Sequence, residues 1–187
     1  HKFKTINFND VKLEHFMPAV NEGIKQAREN IDNIKSNTDS PTFQNTIVAL
    51  ETSEETLSRA VTVYFHLFGS ESTPEFQALA NDISPILASF SNDINLDQEL
   101  FQKVKYVHDN EYDNLEHEEQ RLLEITYKSF VRNGAELDDI KKGELRKVDE
   151  ELSVLSPKFS NNTLGATNEF ELWLSEDDLE GLPEMYL

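Results

Sequence analysis

The stretch LEHFMPAVNEGIKQARENIDNIKS, residues 13–36, decides the fold. Phe16, Val20, Ile24, Ala27, Ile31 and Ile34 recur at steps of three and four. That period lays one apolar stripe along a helix of about six turns. The stretch closes in Ser36-Asn37-Thr38-Asp39-Ser40-Pro41, a loop that leads into another helix start.

Outward from there the same period returns almost throughout. A helical stretch is expected over 42–68, with a joint near Thr52, where Thr52-Ser53-Glu54-Glu55 fits a capping box. Past the joint, Leu57, Ala60, Val61, Tyr64, Phe65, Leu67 and Phe68 cover most of the circumference, which predicts a central, buried helix ended by Gly69-Ser70. Thr73-Pro74-Glu75 starts the next, with Pro in the first turn, where its missing N–H costs nothing. Its stripe is Phe76, Leu79, Ile83, Ile86, Leu87 and Phe90, and Pro85 inside it predicts a kink or break near Asp82. Asp97 caps a shorter helix carrying Leu100, Phe101, Val104 and Val107, and 109–115 reads as a polar loop.

A further helix over 116–133 buries Leu122, Leu123, Tyr127, Phe130 and Val131, and Gly134 is its left-handed stop. From Asp138 onward, Leu145, Val148, Leu152, Leu155 and Phe159 have the spacing of a coiled-coil-like seam, with a bend expected at Pro157. At the ends the period changes. Phe3, Ile6 and Phe8 alternate loosely, so residues 1–12 read as an extended arm. Phe170, Leu172 and Leu174 alternate with Glu171 and Trp173, which reads as a short strand. Nothing in the chain pairs with it, and a bare strand edge is normally covered. Its partner is therefore expected beyond Leu187. The predicted architecture is all-α: one domain over 1–187, a bundle of about six helices over 13–168, and a strand and tail over 169–187 left unpaired.

Composition narrows the function. The 187 residues include 36 acidic and 17 basic ones, for a net charge of -19. That balance argues against nucleic acid and against anionic membranes, both of which want a basic face. Apolar residues are 37%, and 12 of the residues are Phe, too many for a disordered chain. With no Cys there is no disulfide, thiolate nucleophile or thiolate zinc site. No apolar run approaches the ~18 residues that span a bilayer. The sequence opens on His1, the mark of a processed or trimmed start, so a removed signal peptide would leave no trace.

Catalytic and metal-binding patterns are missing. There is no H-E-x-x-H, Gly-rich phosphate loop or G-x-S-x-G. The metal-like groupings are His108-Asp109-Asn110-Glu111 and Glu116-His117-Glu118-Glu119, and neither has a second His at helical spacing. Zinc needs three or four converging ligands, so they read as an acidic loop and a helix start. His15 lies in no metal-like grouping, and His66, beside Phe65 and Leu67, reads as a hydrogen-bonded core or boundary histidine. Glu54-Glu55 and Glu150-Glu151 are adjacent pairs whose side chains point about 100° apart on a helix. Phe65, Phe68, Phe90, Phe130 and Phe159 read as core, and Asn161-Asn162-Thr163 is a formal glycosylation sequon on a predicted helix. No catalytic, cofactor-binding or metal-binding residue is expected here.

Several segments together resemble the N-terminal region of the thimet oligopeptidase family of zinc metallopeptidases, which includes oligopeptidase A and the Dcp-type peptidyl-dipeptidases. They are FNDVKLEHFMPA (8–19), PTFQNTIVAL (41–50), FVRNGA (130–135), LSVLSPKFSNNTL (152–164), Ala166-Thr167-Asn168 and Gly181-Leu182-Pro183-Glu184. They follow the family's order and spacing across essentially the whole chain. PTFQNTIVALE and FVRNGA are closer to the peptidyl-dipeptidase branch. The resemblance implies a helical region forming part of one wall of a deep channel that admits short, unstructured peptides. It implies zinc in the parent enzyme only, because the family's H-E-x-x-H helix and further ligands lie downstream of the matched region. The implied partners are the remainder of the chain, with its catalytic region, and short peptides; uncovered apolar surface would also permit self-association. The expected compartment is the bacterial cytoplasm, with a periplasmic or exported location left open. The competing reading is a stand-alone acidic helical protein-interaction module without enzymatic activity.

Overall fold

Phe16, Val20, Ala27, Ile31 and Ile34 line the buried side of α1 (Phe16–Ser36) in a computed structural model that describes residues 6–70, 73–181 and 183. Gly23 is buried with them. The chain then turns through a π-helical stretch, Phe43–Val48, into a short α2 (Ala49–Glu51). Thr42 caps the π-helix: its hydroxyl accepts from the Asn45 N–H at 3.1 Å, and its own N–H donates to the Asn45 side chain at 2.7 Å. α3 (Glu55–Ser70) packs against α1, with Leu57 over Gly23.

α4 (Pro74–Asn95) starts at Thr73, whose hydroxyl accepts from the Phe76 N–H, and carries Pro in its first turn as expected. It runs unbroken through Pro85. Proline inside a helix costs about 3 kcal/mol. Ile83, Phe90 and Ile94 are buried on both sides of it, at about 1.5–3 kcal/mol each, so the packing outweighs the lost bond. Asp97 caps α5 (Gln98–Glu111) by accepting from the Leu100 N–H at 2.9 Å, and all four apolar residues expected inside it are buried.

The open polar loop expected over 109–115 is instead the end of α5 and a 3-10 turn, Tyr112–Asn114. Its polarity serves contacts: Glu111 accepts from the Phe43 N–H at 2.6 Å, and Asp109 accepts from Lys105 at 2.7 Å. α6 (His117–Arg132) buries Leu123 and Phe130, and Gly134 at φ +93° closes it. Asp138 then caps α7 (Asp139–Glu169), which continues through Pro157.

Six long helices and no strand among the described residues make an all-α bundle. Four expectations need correction. Of the arm, His1 and Phe3 lie outside the described residues, while Phe8–Asp10 form a 3-10 turn rather than extended chain. Residues 170–174 form no strand, and among the described residues no second segment offers the hydrogen bonds a strand needs. α3 is not central: only Leu57 and Tyr64 are fully buried, since one face packs on α1 and the Phe65 side lies at the edge. The α7 seam finds no paired helix along its length: Leu145 is half-buried beside Gly134 and Leu152 borders a groove against α4. Val148, Leu152, Leu155 and Phe159 are exposed, and a neighbouring face of small residues lies along α4.

Candidate functional site

Several of the groupings that could carry chemistry make contacts within the fold. The Thr52 hydroxyl donates back to the Val48 and Ala49 carbonyls, and the Glu55 N–H goes to the Thr52 carbonyl at 3.4 Å rather than to that hydroxyl, so the expected capping box is not formed. Glu55 pairs with Arg59 at 2.5 Å, one turn on, while Glu54 turns into a groove where burial pushes its carboxyl up. The two carboxylates therefore do not converge, and Glu150 and Glu151 stay on the exposed side of α7.

His108 stacks on the Tyr127 ring at 4.1 Å and its Nδ1 sits 3.1 Å from Asp109. Hydrogen bonds from Lys105 and then His108 hold the Asp109 carboxyl below its usual range. Glu111 is spent on the Phe43 N–H. Glu116 and Glu119 form a capping box at the start of α6, with the Glu116 N–H donating to Glu119 at 3.1 Å. His117 projects to solvent from the same turn, and His15 accepts from the Lys12 N–H. His66 is exposed, not a core or boundary residue, because it lies on the uncovered edge of α3. Among the described residues no group of three or more His, Asp and Glu gathers to hold a metal ion. None of their helices is long and apolar enough to cross a membrane.

What the bundle offers is surface. An open groove of about 950 Å³ runs between α3, the end of α4 and α6. Val63, Ile94 and Phe130 lie in it, and Glu51, Glu54, Glu55 and Arg59 line it. Its hydroxyls include Ser58, Thr62, Thr126 and Ser129, and no histidine is among its lining residues. A smaller apolar groove lies where Phe65, Phe68 and Leu87 meet Ser153, Ser156 and Pro157 of α7. Of the aromatic set expected as core, Phe90 and Phe130 are buried, while Phe65 and Phe159 stand out.

Sequence reasoning missed three polar ties. Asp93 accepts from Arg28 of α1 at 2.6 Å and from Arg146 of α7 at 2.8 Å, joining three helices. Lys142 is buried, and its ammonium donates to the Leu96 carbonyl at 3.1 Å and to Gln98 at 3.0 Å. Lys35 bonds Asp97 at 2.6 Å, tying α1 to the cap of α5. These partners are 44 to 65 residues apart, and no local pattern marks such pairs.

The family model "Neurolysin/Thimet oligopeptidase, N-terminal domain" matches residues 20–142. A dipeptidyl carboxypeptidase of Escherichia coli K12 is 36% identical over 161 residues, 86% of this chain and 24% of that protein. The organellar oligopeptidase A of Arabidopsis thaliana is 28% identical over 178 residues, 94% of this chain and 22% of that protein. Oligopeptidase A of Escherichia coli K12 is 25% identical over 187 residues, 99% of this chain and 28% of that protein. The chain spans about a quarter of the length of these relatives.

Proposed function

The chain belongs to the neurolysin/thimet oligopeptidase family through its N-terminal domain, and on that premise we propose that residues 1–187 are the non-catalytic N-terminal helical part of a zinc-dependent oligopeptidase or peptidyl-dipeptidase. The observation that carries this reading is the match to an N-terminal domain in proteins named for peptidase activity and about four times as long. The parent hydrolyses short peptides, and this bundle forms part of one wall of the channel that admits them.

Zinc does not fit the residues present. Among those described, the histidines are dispersed over different turns and helices; of the two rings that neighbour a carboxylate, His15 lies exposed beside Glu14 and His108 is stacked on Tyr127. The zinc ligands and the general base are therefore assigned to the part of the parent outside residues 1–187, and no chemical step passes through this chain. What these residues contribute is shape and field. The Asp93 and Lys142 ties hold α1, α4, α5 and α7 in fixed relation, giving a wall that folded proteins cannot part. A net charge of -19 disfavours anionic peptides near that wall. The bacterial cytoplasm is the proposed compartment.

The parent reading frame tests the proposal. It should contain an H-E-x-x-H with a further Glu downstream, a few hundred residues past Leu187. A frame without that motif would remove the chemistry, and the stand-alone interaction module would take its place.

A further inference from the structure

We propose that α7 is shared between two domains, and that its Val148, Leu152, Leu155 and Phe159 face is the surface on which the peptidase region of the parent chain docks. The inference rests on the reading above, that such a region follows residue 187.

The polar fastening of α7 to the bundle is concentrated at its start. Asp138 caps it, Lys142 reaches the end of α4, and Arg146 reaches Asp93. Beyond Arg146 no side-chain hydrogen bond or ion pair is found from α7 to the rest of the bundle among the described residues. The family-model match stops at Lys142, while the relatives match well past it. The polar ties thus anchor the first two turns of α7 and leave the rest of the helix held by packing alone.

From Val148 on, the helix is patterned for a partner that the bundle does not supply. Toward α3 and α4 it presents Ser153, Ser156 and Pro157. About a third of a turn round the helix, at about 100° per residue, the large apolar side chains line up, with Leu152 at their border against α4 and the others turned off the bundle. Val148 is 52% exposed, Leu152 51%, Leu155 53% and Phe159 75%. Each such side chain gains about 1.5–3 kcal/mol when fully buried. The spacing of four, three and four is that of a helix packed along another helix. The exposed Phe170, Leu172 and Trp173 extend the apolar surface beyond the end of the helix.

The occupant is the rest of the parent chain. The relatives carry about three quarters of their length outside the matched region, ample to supply a packing helix. A second copy is the poorer candidate, since two copies of this region would bring net charges of -19 together.

Hydroxyl-radical footprinting of the full-length protein, read by mass spectrometry, tests the inference. Phe159 and Tyr106 are both reactive aromatics, and Phe159 is the more exposed of the two within this region, 75% against 45%. In the full-length protein Phe159 should be oxidised several-fold more slowly than Tyr106, at every protein concentration. Phe159 oxidised as fast as Tyr106 in a parent that cleaves peptides would overturn the docking face and leave the proposed function standing. Protection that fades on dilution would assign the face to a second copy, and would overturn it equally. A parent frame without a peptidase region would remove the proposed function and this inference together.

Discussion

Gly23 of α1 faces Leu57 of α3 so closely that a Cβ on Gly23 would stand 2.8 Å from the Leu57 Cα. The contact is with backbone, so neither helix can yield by turning a side chain. Gly23→Ala should destabilise the chain by about 1–3 kcal/mol, the usual cost of overpacking. Gly143 of α7 has nothing within 4 Å of the same added atom. Gly143→Ala should stabilise by about 0.5–1 kcal/mol, because alanine is the better helix former. Urea unfolding of the two variants checks this, and equal shifts of the same sign would refute the close approach.

Tyr64 gives a second prediction. Its ring is fully buried against Phe16 and Phe76, and its hydroxyl donates to the Phe76 carbonyl at 2.7 Å. Burial first, and the charge of Asp82 second, push its phenol up to about 12 from a usual 10.0. A raised value means that the stabilising contribution is complete below pH 10 and is lost as the pH climbs toward 12. Ultraviolet titration should show one late-ionising tyrosine that is missing from Tyr64→Phe. That variant should also lose about 1 kcal/mol, the net worth of its hydrogen bond.

The parts of the fold visible in the sequence are those where one residue type implies one environment. The α1 stripe, the Asp97 cap with its four buried followers, and the Gly134 stop each depend on spacing alone, and each is found where expected. α3 was over-read because a helix apolar all round does not disclose which side is covered. In α7 the seam was legible but its partner was not, because the face that meets α4 is built of serines. The Thr52 box failed because a threonine hydroxyl can also donate back to the preceding turn, to Val48 and Ala49. The Arg28–Asp93–Arg146 tie was not legible, because its members sit on three distant segments.

That tie can be probed by pH and salt. Burial works to raise the Asp93 carboxyl, but hydrogen bonds from Arg28 and Arg146 outweigh it and hold the group below its usual 3.8. A lowered value means that the stability it lends is present above pH 3.8 and is lost as the pH falls through the folded value. Asp93→Asn should cost about 1 kcal/mol near neutral pH, given how much of the cluster is solvated. The difference from the parent sequence should narrow in acid and in high salt. A difference that ignores both would mean the tie is not electrostatic.

A -19 wall should also show in substrate preference. The full-length protein should turn over a basic or neutral short peptide faster than an acidic one of equal length, and added salt should shrink the gap by screening. Equal rates for both peptides at low salt would mean that the rest of the parent rebalances the charge.

The most direct test of the central claim is a peptidase assay run in parallel on the full-length protein and on residues 1–187, with a short unstructured peptide as substrate. The account predicts cleavage by the full-length protein, loss of that cleavage on zinc chelation, and none by residues 1–187. Hydrolysis by residues 1–187 themselves, or a full-length protein that cleaves nothing, would contradict it.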